Sequence, residues 1–195
     1  MKFWLSLLFI SLSLVTGSQA AYDIYARFVG GNAPSYVGDS NHENFLGADG
    51  WVELGSASFS LETTINIGST SGGGGAGKAS FGDVVLTKSP NGLSASFFAA
   101  AALGANYDTA EIVFVRSGGA VSGGQTFLKF EMKMVFVSSI GVEGNSGGDQ
   151  PDEKVVLKHG AQRLTFYKQN NDGSTTALTP VSWSVVLNNA TFQVQ

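Results

Sequence analysis

The sequence predicts a mainly β protein that carries one α-helix. Short segments of β-branched and aromatic residues are separated by turns rich in glycine, of which the chain has 26. One stretch, residues 93–103, is rich in alanine and lacks β-branched residues, which favours a helix ended by Gly104. A single helix among many strands argues against an alternating α/β fold and indicates a β-sandwich or a closed barrel.

The predicted strands occupy most of the chain after residue 21. They run over residues 22–28, 51–65 (one or two strands), 81–87, 111–116, 125–137, 152–159, 163–169 and 181–187. A long loop is expected over residues 30–50, and glycine-rich turns over 117–124, 144–151 and 170–173. Residues 21–195 are enough for one hydrophobic core, so we expect a single domain.

Residues 125–137 give the clearest strand pattern. One alternating set is apolar: Leu128, Phe130, Met132, Met134 and Phe136. The intervening set is charged: Lys129, Glu131 and Lys133. Successive side chains of a strand point to opposite faces, so we expect the apolar set in the core and the charged set in water.

Residues 1–20 have the composition of a secretory signal peptide. Lys2 precedes an apolar region that ends at Val15, and small residues lead to a cleavage position after Ala20. Serines interrupt the apolar region, which is shorter than the roughly 20 residues of a membrane-spanning helix. The sequence therefore predicts a signal peptide over 1–20, a domain over 21–195, and a periplasmic or extracellular product.

Composition narrows the range of partners. The chain has 11 basic and 15 acidic residues, and removal of Lys2 with the signal peptide makes it slightly more acidic. This balance argues against nucleic acid, which is bound through clustered lysine and arginine. The chain has no cysteine, so disulfides and thiolate metal sites are excluded.

A glycine-rich motif at residues 72–78 matches part of a phosphate-binding loop. Gly72 and Lys78 have the required spacing, but Ala79 stands where a hydroxyl residue should hold magnesium. The residues that follow, 80–88, have strand character, whereas a phosphate loop must be followed by a helix. We interpret the glycines as a connection between strands, with Lys78 as an exposed charge.

Catalytic residues are not predicted. The chain has two histidines, His42 and His159, which lie outside recognisable catalytic motifs, and it has no Gly-x-Ser-x-Gly nucleophile elbow. Both histidines are expected to be solvated. We predict that the protein is not an enzyme and that it uses no cofactor.

Two loops carry acidic residues that could bind calcium, although neither has the spacing of a helix-loop-helix calcium site. They hold Asp39, Glu43 and Asp49, and Asp149, Asp152 and Glu153. Paired carboxylates for glycoside hydrolysis would have to come from acids within strands, which we assign to solvent-facing positions. These are Glu53, Glu62, Glu111 and Glu131.

Aromatic residues support an alternative function, a secreted β-sandwich module that binds carbohydrate or another surface ligand. Such a module would need several exposed aromatic rings on one face, whereas burial is the default for most of them. The candidates are Tyr36, Trp51, Tyr107, Tyr167 and Trp183.

The order and spacing of several segments resemble the haemolysin-coregulated protein (Hcp) family, the tube proteins of bacterial type VI secretion. The resemblance covers almost the whole chain after the signal peptide. It rests on residues 22–28, Ser58-Phe-Ser, the glycine loop 72–78, Val84-Val-Leu-Thr-Lys, the helix 93–103, residues 137–140 with Gly147-Gly148, and Trp183.

This resemblance implies a compact two-sheet β-barrel with one flanking α-helix, without a catalytic centre. It also implies hexameric rings that can stack into tubes and a lumen that holds small effector proteins. The loop that packs on neighbouring subunits corresponds to residues 67–78, and its interface candidates are Ile67, Ser69, Thr70, Ser71, Gly72, Gly73, Gly74, Gly75 and Lys78. Family members are ordinarily made without a signal peptide. Because a signal peptide is predicted for this chain, it is expected to be an exported relative.

Overall fold

The computed structural model describes residues 22–66, 75–116 and 123–195, and within these ranges the protein is mainly β with one α-helix. The helix is α1 (Gly92–Leu103), and a 3-10 turn covers Gly47–Asp49. The strands are β1 (Tyr22–Val29), β2 (Asn41–His42), β3 (Phe45–Leu46), β4 (Trp51–Leu54), β5 (Ser56–Ser58), β6 (Leu61–Asn66), β7 (Gly75–Phe81), β8 (Val84–Lys88), β9 (Asn106–Arg116), β10 (Gln125–Glu143), β11 (Asp152–Gln169), β12 (Thr175–Ala177) and β13 (Val181–Ser184).

Nine strands form one antiparallel sheet. Its hydrogen-bonded order is β4-β1-β9-β10-β11-β8-β5, and β12 and β13 also pair with β11. The two ends of this path, β4 and β5, are consecutive in the chain and meet at Gly55, but no ladder joins them. The path is therefore open, and the predicted closure into a barrel is not confirmed.

The helix α1 forms where the sequence predicts it. The Asn91 side chain accepts a hydrogen bond from the Leu93 amide at 3.1 Å, while Ser94 caps the Asn91 amide in return, which satisfies free N–H groups of the first turn. Gly104 ends the helix in the left-handed conformation with φ of 64°. The buried residues fall at helical spacing and pack on the sheet; they are Leu93, Ser96, Phe97 and Ala100.

The sheet buries apolar side chains on both of its faces. The larger cluster holds α1 against β1, β8, β9, β10 and β11, with Phe97, Phe130 and Leu157 almost fully buried. Burying a side chain of this kind contributes about 1.5–3 kcal/mol, so this cluster dominates folding. A smaller cluster on the other face contains Tyr25 and Trp51, with Phe45 packed on it. Both faces are thus covered where β1, β4 and β9 lie side by side.

Residues 30–50 cover part of this structure although they contain little regular secondary structure. The Tyr36 hydroxyl accepts a hydrogen bond from the Phe28 amide at 2.9 Å and donates one to the Gly50 carbonyl at 2.7 Å. Burial raises the pKa of Tyr36 to about 12, so the phenol stays protonated and can keep both bonds. The segment is thereby fixed to β1.

The alternation predicted for residues 125–137 is wrong after Lys133. Phe130 and Met132 are buried as expected, but beyond Met134 the buried residues are Val135 and Val137, while Phe136 is exposed. Met134 has φ of 52°, which lies in the left-handed region that side chains rarely adopt. Beyond Met134, the strand therefore buries the other alternating set of side chains.

The partner strand β11 changes faces at the same level. The register places Gly160 opposite Met134, since Lys133 pairs with Ala161 and Val135 pairs with His159. The two strands predicted over 152–159 and 163–169 are consequently one 18-residue strand that passes through Gly160 without a break. Glycine suits this position because an added Cβ would lie 2.8 Å from the Met134 Cε.

Other strand boundaries differ from the prediction in length. Residues 51–65 form three strands, because the chain bends at Gly55 and again before Leu61. The last strand stops at Ser184 and is followed by a turn over residues 185–188. The apolar run after Ser184 therefore extended the predicted strand too far.

Candidate assembly surface

The strands β6 and β7 form a separate two-stranded hairpin, which we call the arm. They pair with each other, from Leu61 with Phe81 to Asn66 with Gly75, and belong to neither of the other two sheets. The connection between them, residues 67–74, lies outside the described residues. The segment that the family resemblance assigns to contacts with neighbouring subunits thus begins after β6 and ends within β7.

Most predicted interface residues cannot be located, because seven of the nine lie outside the described residues. These seven are Ile67, Ser69, Thr70, Ser71, Gly72, Gly73 and Gly74. The remaining two, Gly75 and Lys78, belong to the backbone of β7. The predicted loop is thus shorter than expected, since its last residues are part of a strand.

The chain after Lys78 does not form a phosphate-binding loop. The strand β7 continues to Phe81, and β8 begins three residues later at Val84. Residues 75–88 therefore contain no helix whose first amides could face a phosphate. The strand character predicted for residues 80–88 is confirmed by β7 and β8.

Apolar side chains on β6 face solvent. Leu61 is 59% exposed and Ile65 is 61% exposed, and every residue from 61 to 65 is exposed. An isolated two-stranded hairpin is marginally stable in water, because it has no second layer on which to bury such residues. The arm therefore exposes apolar residues that a second surface could cover.

Aromatic contacts fix the base of the arm to the main sheet. Phe59 stacks on Phe130 with ring centroids 4.2 Å apart, and Phe81 lies 6.1 Å from Trp183. Between them is an apolar cavity of about 320 Å³, which Leu61 and Phe81 share with residues of β10, β11 and β13. The arm is thus anchored at its base, whereas its outer residues rest mainly on each other.

A row of charged residues crosses one face of the main sheet. Arg27, Glu111, Glu131 and Arg163 stand directly opposite one another on β1, β9, β10 and β11. Arg27 pairs with Glu111 at 3.2 Å, and Arg163 donates two hydrogen bonds of 2.7 and 2.6 Å to Glu131. Lys129 lies between the two glutamates, 3.5 Å from one and 3.2 Å from the other. We call these five residues the charge ladder.

Glu131 is buried in this ladder, so its expected position in water is wrong. Burial alone would raise the pKa of Glu131, but the Arg163 hydrogen bonds and the Lys129 charge outweigh it, and the pKa lies below its ordinary value of 4.5. Glu111 is half-buried, and Glu53 and Glu62 are exposed as expected. Both glutamates of the charge ladder thus form structural ion pairs.

A separate ion pair, outside the charge ladder, lies inside the protein. The Lys88 ammonium is 2.8 Å from the Glu153 carboxylate, and both side chains have no exposed surface. Lys88 also donates to the Asn91 and Ser94 side chains, each at 2.8 Å. This lysine therefore links β8 and β11 to the first turn of α1.

The prediction that both histidines are solvated is wrong. The His42 ring is half-buried and packs on Tyr25 and Phe45, with centroids 4.8 and 5.1 Å apart. His159 is also half-buried, and its Nε2 lies 2.9 Å from the Gln162 Oε1. Burial lowers the pKa of His159 below 6.5, which favours the neutral ring.

The acidic loops give no support to a calcium site. Among the described residues, no group of three or more histidine, aspartate or glutamate side chains is arranged to hold a metal ion. Asp39 accepts a hydrogen bond from the side-chain amide of Asn91 at 3.2 Å, and Glu153 is paired with Lys88. Both carboxylates thus have protein partners.

The aromatic candidates for carbohydrate binding do not form an exposed platform. Trp51 is 7% exposed and Tyr107 is 2% exposed, so their rings are part of the protein interior. Tyr36, Tyr167 and Trp183 are half-buried, and Trp183 packs on Phe81. The binding-module alternative therefore gains no observation in its favour.

The described residues contain no helix that is long and apolar enough to cross a membrane.

Comparison with known proteins identifies one family. The family described as "Type VI secretion system effector, Hcp" matches residues 27–179. No curated protein sequence matches the chain.

Solved structures with the same fold agree with that match. A structure titled "Structure of a type six secretion system protein" is 23% identical, covers 88% of this chain and 100% of its own, and has a TM-score of 0.73. Hcp1 from Salmonella typhimurium is 16% identical, with 89% and 100% coverage and a TM-score of 0.63. Hcp3 from Pseudomonas aeruginosa, titled a secreted protein, is 16% identical, with 81% and 97% coverage and a TM-score of 0.53.

Proposed function

The chain belongs to the Hcp family of type VI secretion system effectors, and we propose that it is a non-enzymatic structural protein that assembles with itself. The assembly unit is a hexameric ring, and rings can stack into a tube whose lumen holds small effector proteins. Identical subunits form such a ring through a head-to-tail interface whose rotation closes on itself.

The arm is the observation that carries this proposal. It contains Leu61 and Ile65, which are exposed by 59% and 61%, and it pairs with no other sheet of the described chain. Packing of the arm against a neighbouring copy would bury these residues and give the hairpin the second layer that it lacks. The predicted contact segment from Ile67 to Lys78 includes the connection between β6 and β7, so we include it in the proposed interface.

Export is the second part of the proposal. Residues 1–20 would act as a signal peptide and residues 21–195 as one Hcp-like domain, which places the assembly in the periplasm or outside the cell. Mass spectrometry of the protein recovered from cells tests this part, and the expected amino terminus is Ala21. A protein that retains Met1 and stays in the cytoplasm would contradict it.

Assembly is tested on the chain that starts at Ala21. Light scattering coupled to size exclusion should give a mass about six times that of the monomer, and negative-stain microscopy should show rings. A protein that remains monomeric at the highest soluble concentration, with no rings in the micrographs, would refute the proposal.

The arm is tested by removing Gly72 to Gly75. This deletion should weaken ring closure or stacking, while circular dichroism and thermal unfolding of the monomer stay unchanged, because it leaves the aromatic contacts at the base of the arm in place. Removal of residues 145–148, an exposed turn elsewhere on the surface, serves as the matched control. If both deletions leave the sedimentation profile of the parent, the arm does not form the interface.

A further inference from the structure

The cavity between the base of the arm and the main sheet has a buried floor and an open mouth. Phe130, its most deeply buried lining residue, is 2% exposed, whereas Leu61 and Val181 are 59% and 73% exposed. The half-buried rings of Phe81 and Trp183 also line it. A molecule can therefore enter from solvent and be enclosed by apolar side chains.

The position of the cavity follows from the sheet topology. One edge of β11 pairs with β10, and the other edge pairs with β8 over residues 153–157 and with β13 over residues 161–164. In the described chain, residues 158–160 have no strand partner on that second edge. Because β7 ends just before β8 begins, the base of the arm stands beside this interval, and the cavity lies between it and β13.

The lining selects a neutral and planar molecule. Among the described residues that border the cavity, none is charged, so an ion would lose its hydration there without gaining an ion pair. The Phe81 and Trp183 rings are inclined by only 28°, and aromatic walls of this kind gain additional energy from contact with another ring. The volume of about 320 Å³ lies at the lower end of the range for small-molecule sites.

Gln162 adds one oriented polar group to this lining. Its Oε1 lies 2.9 Å from the His159 Nε2, and because a carboxamide oxygen can only accept, the histidine donates. Burial lowers the pKa of His159, which favours the neutral ring with its proton on Nε2. Among the described residues, none accepts a hydrogen bond from the Gln162 Nε2. The carboxamide is thus fixed by its oxygen, and its NH₂ group remains available to a molecule in the cavity.

We propose that this cavity is a binding site for a neutral, planar aromatic molecule that carries one hydrogen-bond acceptor, such as an aryl ketone. The apolar side chains enclose the ring system, and the Gln162 NH₂ group donates to the acceptor. All of these contacts come from a single chain, so the inference does not depend on self-assembly.

Two probes that differ at one atom test the role of Gln162. 2-Acetylnaphthalene carries a carbonyl oxygen, and 2-isopropenylnaphthalene carries a methylene group in its place. Isothermal titration calorimetry with the full chain should show one ketone bound per chain. In Gln162→Leu, the affinity for the ketone relative to the alkene should fall about 10-fold, which is the effect of one lost hydrogen bond. Comparing the ratio between the two proteins cancels the different hydration of the probes.

A second variant keeps the proposal testable if Gln162→Leu does not fold. Val181→Trp places a large side chain at the mouth, on an exposed residue where substitution changes stability little. It should weaken binding of both probes by at least about 10-fold, because the cavity is filled. Val142→Trp is the matched control, since Val142 is a strand residue that is 57% exposed and lies outside the cavity. Thermal unfolding verifies that each variant is folded.

Three outcomes would overturn the inference: no ketone binding to the wild type at the solubility limit, an unchanged affinity ratio in Gln162→Leu, or undiminished binding in Val181→Trp. Light scattering on the same samples reports assembly separately. Rings without probe binding would overturn this site and leave the proposed function intact, whereas probe binding to a protein that forms no rings would do the reverse.

Discussion

The main sheet and the arm consist of similar short strands but depend on different neighbours. In the main sheet, α1 covers one face and buries Phe97 and Leu93, and the buried pair of Lys88 with Glu153 joins three elements. In the arm, β6 has no comparable cover, and Leu61 and Ile65 remain in solvent. The comparison separates the part of the chain that stabilises the fold from the part that we propose contacts other copies.

The largest effect is expected from Lys88→Met. This change leaves the Glu153 carboxylate buried without a cation, which costs about 3–5 kcal/mol of unfolding free energy. Urea denaturation of the monomer measures the loss. The double variant Lys88→Met with Glu153→Leu should recover most of it, since it removes the unpaired charge. A loss below about 1 kcal/mol in the single variant would mean that the pair does not support the sheet.

The next effect concerns the arm alone. Leu61→Ser with Ile65→Ser should weaken ring formation by about 10- to 100-fold, because two apolar side chains would no longer be buried at the interface. The unfolding free energy of the monomer should change by less than about 0.5 kcal/mol, as is usual for exposed positions. Val37→Ser, at a residue that is 75% exposed outside the arm, is the matched control. Equal loss of assembly in the arm variant and in Val37→Ser would show that the arm matters no more for assembly than another exposed position.

The charge ladder predicts a pH dependence of the main sheet. The pKa of Glu131 is lowered in the folded protein, so its stabilisation is complete above about pH 4.5 and is lost as the pH falls through the folded value. Glu131→Gln should cost about 2 kcal/mol at pH 7 and progressively less in acid. Urea midpoints from pH 7 to pH 3 measure this convergence. If the difference in unfolding free energy between the wild type and Glu131→Gln stayed constant over this pH range, the carboxylate would be excluded as its cause.

The smallest effect is expected at His159. Burial lowers the pKa of this histidine, so the unfolded chain takes up a proton first and stability decreases as the pH falls below 6.5. One histidine can contribute a slope of at most about 1.4 kcal/mol per pH unit. His159→Gln should flatten thermal unfolding temperatures between pH 7 and pH 5. If the pH dependence of the unfolding temperature stayed unchanged in this variant, it would have to come from other titrating groups.

The helix and most strands could be predicted from the sequence, because local propensity and periodicity specify them. Asn91 and Gly104 delimit α1 with their side-chain and backbone chemistry, and both are visible in the sequence. The exchange of faces at Met134 could not be predicted, because methionine gives no sign of a left-handed conformation. Periodicity assumes regular backbone angles, and it fails where one residue departs from them.

The arm was predictable only in outline. The glycine run marks a connection between two strands, but Gly75 and Lys78 belong to β7, because cross-strand pairing extends further than turn composition suggests. Glu131 was misplaced in water, since its burial depends on Arg163 from a strand 32 residues later in the chain. The contacts of Phe192 with Lys133 and Arg163 likewise depend on two other strands, which no local pattern reveals.

The bend at Gly55 has a mechanical consequence. It joins β4, the outer strand at one end of the sheet, directly to β5, the outer strand at the other end, and its amide bonds to the Thr87 carbonyl at 2.8 Å. We therefore expect a pulling force on either outer strand to be transmitted through Gly55 to the other. The hydrogen bonds at both edges of the sheet would then carry the force together. We expect a protein built in this way to resist being peeled open from one side.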